Sequence, residues 1–322
     1  MSDPPRVPEA DLSGVRTVPI GTRPNKVNAA LLAAPPADDR SFDAFLASLP
    51  NLLAARDLRT AVQAIAAAAR ARRGVIVLLG GHVIKTGMGP LLVRLLRRGV
   101  ITHVAMNGAA AIHDFELAAF GGTSEDVAAG LKDGTFGMAE ETGSEMNAAI
   151  ARGYADDRGL GEALARWLDA RRDVPGRAHS VLLAAHAAGV PLSVHTAIGA
   201  DIIHQHPAAD GAATGATTHR DFRRLAASVA TLDDGGVVLN LGSAVIMPEV
   251  FLKALTVARN LSGGKPTDFT AVDCDMIRHY RPRLNVVERP TQMGGAGILL
   301  TGHHEILIPL IAWGVDAALD RG

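Results

Sequence analysis

A chain of 322 residues, 48% of them hydrophobic and only 4% aromatic, can bury one large or two modest cores packed by Ala, Leu, Val and Ile. Its formal net charge of −1 gives no electrostatic basis for binding nucleic acid or an anionic membrane. A lone cysteine (Cys274), an N-terminus without a signal-peptide core and apolar runs too short for a bilayer exclude a disulfide framework and point to a cytoplasmic protein.

Residues 1–40 are rich in Pro, Asp and Arg and read as an extended arm suited to reaching a neighbouring subunit. Helices are expected at 41–49 and 56–72, the second with Leu58, Val62, Ile65 and Ala69 at helical spacing. Strand and helix then alternate. A β-branched strand at 74–79 leads through Gly80-Gly81-His82 to a helix at 90–98. A second strand, 100–106, ends in Asn107-Gly108-Ala109-Ala110, ahead of His113-Asp114-Phe115-Glu116. Residues 121–190 read as a helical insertion, with pieces at 140–152, 161–171 and 180–188, that walls or covers a site. A third strand at 191–195 ends at Thr196, and a helix follows at 218–232.

Gly235 and Gly236 release the apolar run 237–240, short enough for a strand buried on both faces. Gly242-Ser243-Ala244 then turns the chain into a helix at 249–260, with Pro248 at its start. Alone, this unit is a core crossover. In an open α/β sheet it also leaves backbone amides free at the helix start, where a phosphate can be held. Strands at 268–273 and 297–301 and a helix at 306–319 complete the series. Six short strands alternating with helices predict an α/β fold, a Rossmann-like doubly wound parallel sheet with helices on both faces. The N-terminal arm and helices occupy 1–73, and the Rossmann-like domain 74–322.

All carboxyl ends of a parallel sheet lie on one edge, where ligands bind. Here those ends carry Gly81-His82, Asn107-Gly108, His195-Thr196, Gly242-Ser243, Asp273-Cys274-Asp275 and Gly302-His303-His304-Glu305. Turns alone have little use for His, Asn and Asp at nearly every end, so a nucleotide-sized site is expected. No G-x-x-x-x-G-K-[ST] occurs, which argues against ordinary P-loop chemistry, and Gly87-x-Gly89 lacks the third glycine of a dinucleotide fingerprint.

The densest polar cluster is Asp201, His204, His206 and Asp210, with His219 and Asp221 beyond. With His303 and His304 it offers metal-ligand chemistry, yet no H-E-x-x-H helix is present and a satisfied polar network is the simpler reading, so no metal ligand is assigned. Cys274 sits between two acids that raise its thiol pKa, making it a poor nucleophile. His113, Asp114 and Glu116 suit acid–base work and helix capping equally.

In this order, the segments from about 74 to 315 resemble the deoxyhypusine synthase family, whose members use NAD to move an aminobutyl group from spermidine onto a lysine. Gly80 to Gly89 and the helix after it are similar to the family's first strand–turn–helix. Met106 to Ala110, with Asp114 and Glu116, is similar to its Thr-Ala-Gly-Gly turn and acid run. Val190-Pro191 through Ile203 is similar to its Ile-Pro-Val and Gly-Asp-Met-Ile region, where an acid that contacts the polyamine falls on Asp201. Gly242-Ser243-Ala244 stands at its glycine triplet and Thr270-Ala271 at its cofactor-contacting Thr-Ala. Arg289-Pro290 and 303–310 also have counterparts. The departures fall at the chemistry. Where the family has Asp-Glu-Ala and then Trp-Gly-Lys, with an imine-forming lysine, this chain has Thr291-Gln292-Met293-Gly294-Gly295-Ala296-Gly297.

The resemblance implies NAD as cofactor, held by Gly81, His82, Asn107, Gly108, Ala109, Gly242, Ser243, Thr270 and Ala271. It implies a small-molecule amine as substrate, with Asp201 holding the cation and His204, or the His303/His304 pair beside Glu305, acting as base. It also implies a homotetramer built as a dimer of dimers. Without the lysine, a true deoxyhypusine synthase is not expected, the pocket should be more open, and an imine should pass to a small acceptor or water. Lys85 and Lys253, the other lysines near strand ends, read as surface or phosphate contacts. The alternatives are a metal-dependent hydrolase built on the His/Asp cluster and a non-catalytic nucleotide-binding homologue.

Overall fold

The computed structural model describes residues 7–321. The arm before Ser41 is extended apart from two short turns, and Val7, Leu12, Val15, Val18 and Ile20 on it are solvent-exposed. Two helices follow, α1 (Phe42–Ser48) and α2 (Leu53–Arg70). Arg59 of α2 donates to the carbonyls of Leu46, Leu49 and Pro50 at 2.9–3.0 Å, satisfying groups that the end of α1 leaves unpaired.

The alternating unit begins with β1 (Val75–Leu79), α3 (Gly81–Lys85), α4 (Gly89–Arg97), β2 (His103–Asn107) and α5 (Gly108–Phe120). Next come α6 (Val127–Asp133), α7 (Glu140–Ala155), α8 (Leu160–Ala170), α9 (Val181–Ala187), β3 (Leu192–His195) and α10 (Gly211–Val229). The second half holds β4 (Gly236–Leu241), α11 (Ile246–Leu261), β5 (Phe269–Asp275), a π-helical segment (Pro282–Glu288), β6 (Ala296–Thr301) and α12 (His304–Asp320).

The six strands are parallel throughout and lie in the order β3-β2-β1-β4-β5-β6. The chain works outward from β1 to β3, then returns to the centre for β4, so the topological switch point lies between β1 and β4. The strands alternate their side chains between two layers, as a period of two requires. Val75, Val77 and Leu79 of β1 join one core with Ile65 of α2, Phe115 of α5 and Val315 of α12. Ile76 and Leu78 face the other way, against Leu225 of α10 and Phe251 and Leu255 of α11. Every residue of β1 and β4 is buried, as expected for parallel strands covered on both faces. The α/β, doubly wound reading is therefore correct.

Helix starts differ most from expectation. α3 and α5 open directly after their strands, with no intervening turn. Asn107, the last residue of β2, accepts from the Ala110 amide at 2.8 Å and so both ends the strand and caps the helix. α10 begins at Gly211 rather than 218, because Asp210 accepts from the amides of Ala212 and Ala213 at 2.8 and 3.1 Å.

Candidate functional site

The carboxyl ends of β1, β2 and β4 come together around residues too small to keep them apart. A β-carbon on Gly80 would lie 2.0 Å from the Gly242 carbonyl oxygen, so the ends of β1 and β4 touch through backbone alone. Gly242 has φ +65, a conformation that favours glycine, and a β-carbon there would lie 2.7 Å from His304 Nε2. On the far side of β1, Gly81 faces Ala109 and the ring of His113, and Gly108 faces the carboxylate of Asp201, whose Oδ2 would be 2.1 Å from an added β-carbon.

Asp201 lies on a loop that leaves β3 and folds back over the end of β2. Its Oδ2 accepts from the Ala197 amide at 3.1 Å, and burial raises its pKa above the usual carboxylate range. It lines a cavity of about 230 Å³ together with Lys85, His113, Glu116 and Glu125, closed on its apolar side by Ile112 and Phe136. Glu125, Val127 and Phe136 belong to the 121–190 insertion, which thus supplies one wall. Within the wall, His113 Nδ1 is 2.8 Å from Thr123 Oγ1, the Thr123 hydroxyl donates to Glu116 Oε2, and Thr142 donates to Glu116 Oε1 at 2.9 Å. Burial, followed by the nearby Lys85 and His82, lowers the pKa of His113. A larger hollow, of about 520 Å³, lies at the amino end of β3 and is lined by Glu162, Arg166, His186, Leu192 and Arg224.

A second group of polar side chains lies over β4 and β5. His304 is 1% exposed, and neither ring nitrogen has a hydrogen-bond partner. Its Nε2 is 3.7 Å from Asp275 Oδ1, and its ring centroid is 5.6 Å from that of His82. Burial lowers its pKa, with Asp275 acting against that shift. Asp273 is raised to about 6 by burial although Asn240 donates to it at 2.8 Å. Cys274 is pushed up to about 12, by burial before the two neighbouring acids, so the inert thiol expected from sequence is right but its main cause is desolvation.

The predicted site residues are thus divided. Gly81, His82, Asn107, Gly108, Ala109, Gly242 and Ser243 lie along the carboxyl ends of β1, β2 and β4. Asp201 joins them from one side and His304 from the other. His204 sits in the turn after Asp201, its Nδ1 accepting from the Gly199 amide at 3.3 Å and its Nε2 buried without a partner. His303 and Glu305 are exposed, 3.7 Å apart, at the start of α12. His304 lies against Gly242 and Asp275, at the ends of β4 and β5, whereas Asp201 lies against Gly108 after β2. The imidazole sharing the Asp201 cavity is His113 instead.

Two expectations are corrected by strand direction. Thr270 and Ala271 pair with Val237 and Val238 in the amino-terminal half of β5, toward the edge opposite to the one that carries Gly242. The run 291–297 leads into the amino end of β6, with Ala296 opposite Thr270, so its glycines open no pocket at the carboxyl edge. Asp114 is also removed from the chemistry. It is buried and accepts from Ser180 Oγ at 2.6 Å and from the amides of Val181 and Leu182 at 2.8 and 3.0 Å, capping α9. Lys253 pairs with Glu249, whereas Lys85 reaches the cavity.

The metal-ligand cluster does not assemble. Asp221 accepts from the amides of Gly161 and Val194, His219 stacks on Phe222, and His206 lies against Glu140. Among the described residues no three His, Cys, Asp or Glu side chains converge as a metal site, and no helix is long and apolar enough to cross a membrane. Sequence reasoning missed Ile112 on α5, and Glu125 and Phe136, which the tertiary path of the insertion brings to the cavity, as it brings Thr123 to His113.

No protein-family model and no curated protein matches the chain. Among solved structures it is similar to ArgZ, an arginine dihydrolase from the ornithine–ammonia cycle in cyanobacteria, with TM-score 0.50, 15% identity and coverage of 83% of this chain and 33% of that one. A conserved protein of LOR/SDH assignment from Methanococcus maripaludis S2 is similar with TM-score 0.50, 16% identity and coverage of 83% and 70%. A protein assigned as a deoxyhypusine synthase in Entamoeba histolytica gives TM-score 0.49 and 11% identity over 86% and 93%. The chain spans about a third of the length of ArgZ. At these identities the likeness is one of fold.

Proposed function

We propose that the chain is an NAD-dependent enzyme that oxidises a small cationic amine to an imine, which then passes to water or a small amine acceptor. The observation that carries this reading is the seating of Asp201 against Gly108, beside the switch point of a doubly wound sheet. A half-buried carboxylate there lines a cavity of about 230 Å³, the size of a short diamine or an amino acid rather than of a protein side chain entering with its backbone.

The residues at the ends of β1 and β4 fit a nicotinamide nucleotide. Gly80, Gly81 and Gly242 put backbone, not side chains, at the edge, and the two unpartnered nitrogens of His304 beside Gly242 are suited to a polar ligand group. When bound, the nicotinamide would accept a hydride from the carbon that bears the amine. Asp201 holds the ammonium group, Ile112 and Phe136 pack its methylenes, and the insertion wall limits entry of water.

The arrangement does not support a deoxyhypusine synthase. The run that should bear the imine-forming lysine lies on the other edge of the sheet and contains none. Incubation with NAD, labelled spermidine or 1,4-diaminobutane, and borohydride tests the reading. Reduced cofactor should form before borohydride is added, and the protein should stay unlabelled after its addition. A labelled adduct at Lys85 would overturn direct transfer, since that lysine faces the cavity. Cofactor binding without turnover of any small amine would leave a nucleotide-binding homologue in place of an enzyme.

A further inference from the structure

We propose that His113, held as its Nδ1–H tautomer by Thr123 and Glu116, is the proton acceptor for an ammonium group bound in the Asp201 cavity. The proposal rests on the amine reading above for its ligand and on three side chains for its geometry.

A hydroxyl has one proton to give. Thr123 donates its proton to Glu116 Oε2, and the other oxygen of Glu116 is occupied by Thr142. At the 2.8 Å contact with His113, Thr123 Oγ1 can therefore only accept, so the imidazole must carry its proton on Nδ1. Nε2 is then the bare, basic nitrogen. It makes no hydrogen bond with the protein, and His113 lines the same cavity as Asp201. This is the general logic of an oriented base, in which a carboxylate fixes the tautomer of an imidazole, here through an intervening threonine.

The groups around the ring explain why it stays ready. His82 and Lys85 face it from α3, Glu116 from its own helix α5, Glu125 from the insertion and Asp201 from the loop after β3. Burial, then the neighbouring Lys85 and His82, lowers its pKa and so favours the neutral ring, while the carboxylates draw in the cation. The step is a simple exchange. The N–H bond of R–NH3⁺ breaks, a proton joins Nε2, and R–NH2 and an imidazolium result. The neutral amine now has the lone pair that an ammonium lacks and that departure of hydride from the adjacent carbon requires.

The test is nitrogen-15 NMR of histidine-labelled protein, with Thr123→Val, Thr123→Ser and 1,4-diaminobutane as probes. His113 should be protonated on Nδ1 near neutral pH, lose that preference in Thr123→Val and keep it in Thr123→Ser. A merely structural contact would fix the tautomer in the same way but leave Nε2 indifferent to the diamine. Addition of the diamine should shift the Nε2 resonance of His113 and leave that of the remote His186 unchanged. A parent protein with the proton on Nε2, or a Thr123→Val protein with the tautomer unaltered, would overturn the proposal whether or not NAD binds. The expected tautomer with no response to diamine would also overturn it, while NAD binding, measured separately, would still stand or fall alone.

Discussion

Gly108→Ala should fold and lose most of its affinity for a small diamine. The added β-carbon would sit 2.1 Å from Asp201 Oδ2 and 2.2 Å from Cγ, far inside contact distance. The obstacle is the end of one side chain on a loop whose Ile198, Gly199 and Ala200 are exposed, so the carboxylate yields, not the sheet. Displacing it removes a charge-assisted contact of about 1.5–3 kcal/mol, a loss of roughly 10- to 100-fold in affinity. Asp201→Ala should give the same loss by a different route. In the double variant the two effects should not add, because both remove one interaction. Calorimetry with 1,4-diaminobutane measures all three. Unchanged affinity in Gly108→Ala, with its melting temperature preserved, would separate Asp201 from the amine.

The second large effect concerns stability. Asp221 is 0% exposed, its Oδ2 accepts from the amides of Gly161 and Val194 at 2.8 Å each, and its Oδ1 has no hydrogen-bond partner, with Arg224 Nη1 3.9 Å away. Burial outweighs these bonds and raises its pKa from 3.8 to about 7. Between those values the folded protein holds a proton that the unfolded chain has released. This contribution is therefore full below about pH 4 and is lost as pH rises through about 7, amounting to about 4 kcal/mol if the whole shift is expressed. Asp221→Asn keeps an acceptor for both amides and cannot ionise. Urea denaturation across this range should show the parent losing stability relative to Asp221→Asn as pH rises. A constant difference between the two proteins would mean that Asp221 titrates normally.

Some of the site was legible in the sequence and some was not. The strands could be read because parallel strands buried on both faces are continuous apolar runs. The stretch 237–240 stands one residue inside each end of β4, and 74–79 differs from β1 only by Gly74. Small and polar residues just after such runs mark the carboxyl edge, which brought out Gly81, Asn107, Gly108 and Gly242. Asp201 was legible from a resemblance and from the density of polar groups around it. Direction along a strand was harder. Once β5 is seen to begin at Phe269, Thr270-Ala271 belongs to its amino half, whatever its wording resembles.

Side-chain partnership was the least legible part. Asp114 and His113 are neighbours in sequence, yet on a helix they point to different surroundings, one capping α9 and the other facing a cavity. The partner that orients His113 is Thr123, beyond Gly121 and Gly122 in a loop with no periodicity to reveal it. The helix start at Gly211 was hidden in the same way, by a glycine that reads as a breaker until Asp210 is seen to cap it.

The central claim is that the β1–β4 switch point holds NAD beside an amine cavity, and titration calorimetry with NAD on the full chain tests it most directly. One molecule of NAD should bind per chain, more weakly in Gly242→Val, whose side chain must displace His304 from a backbone already at φ +65. Absence of binding by the parent protein at millimolar NAD, or equal affinity in a folded Gly242→Val protein, would contradict the account.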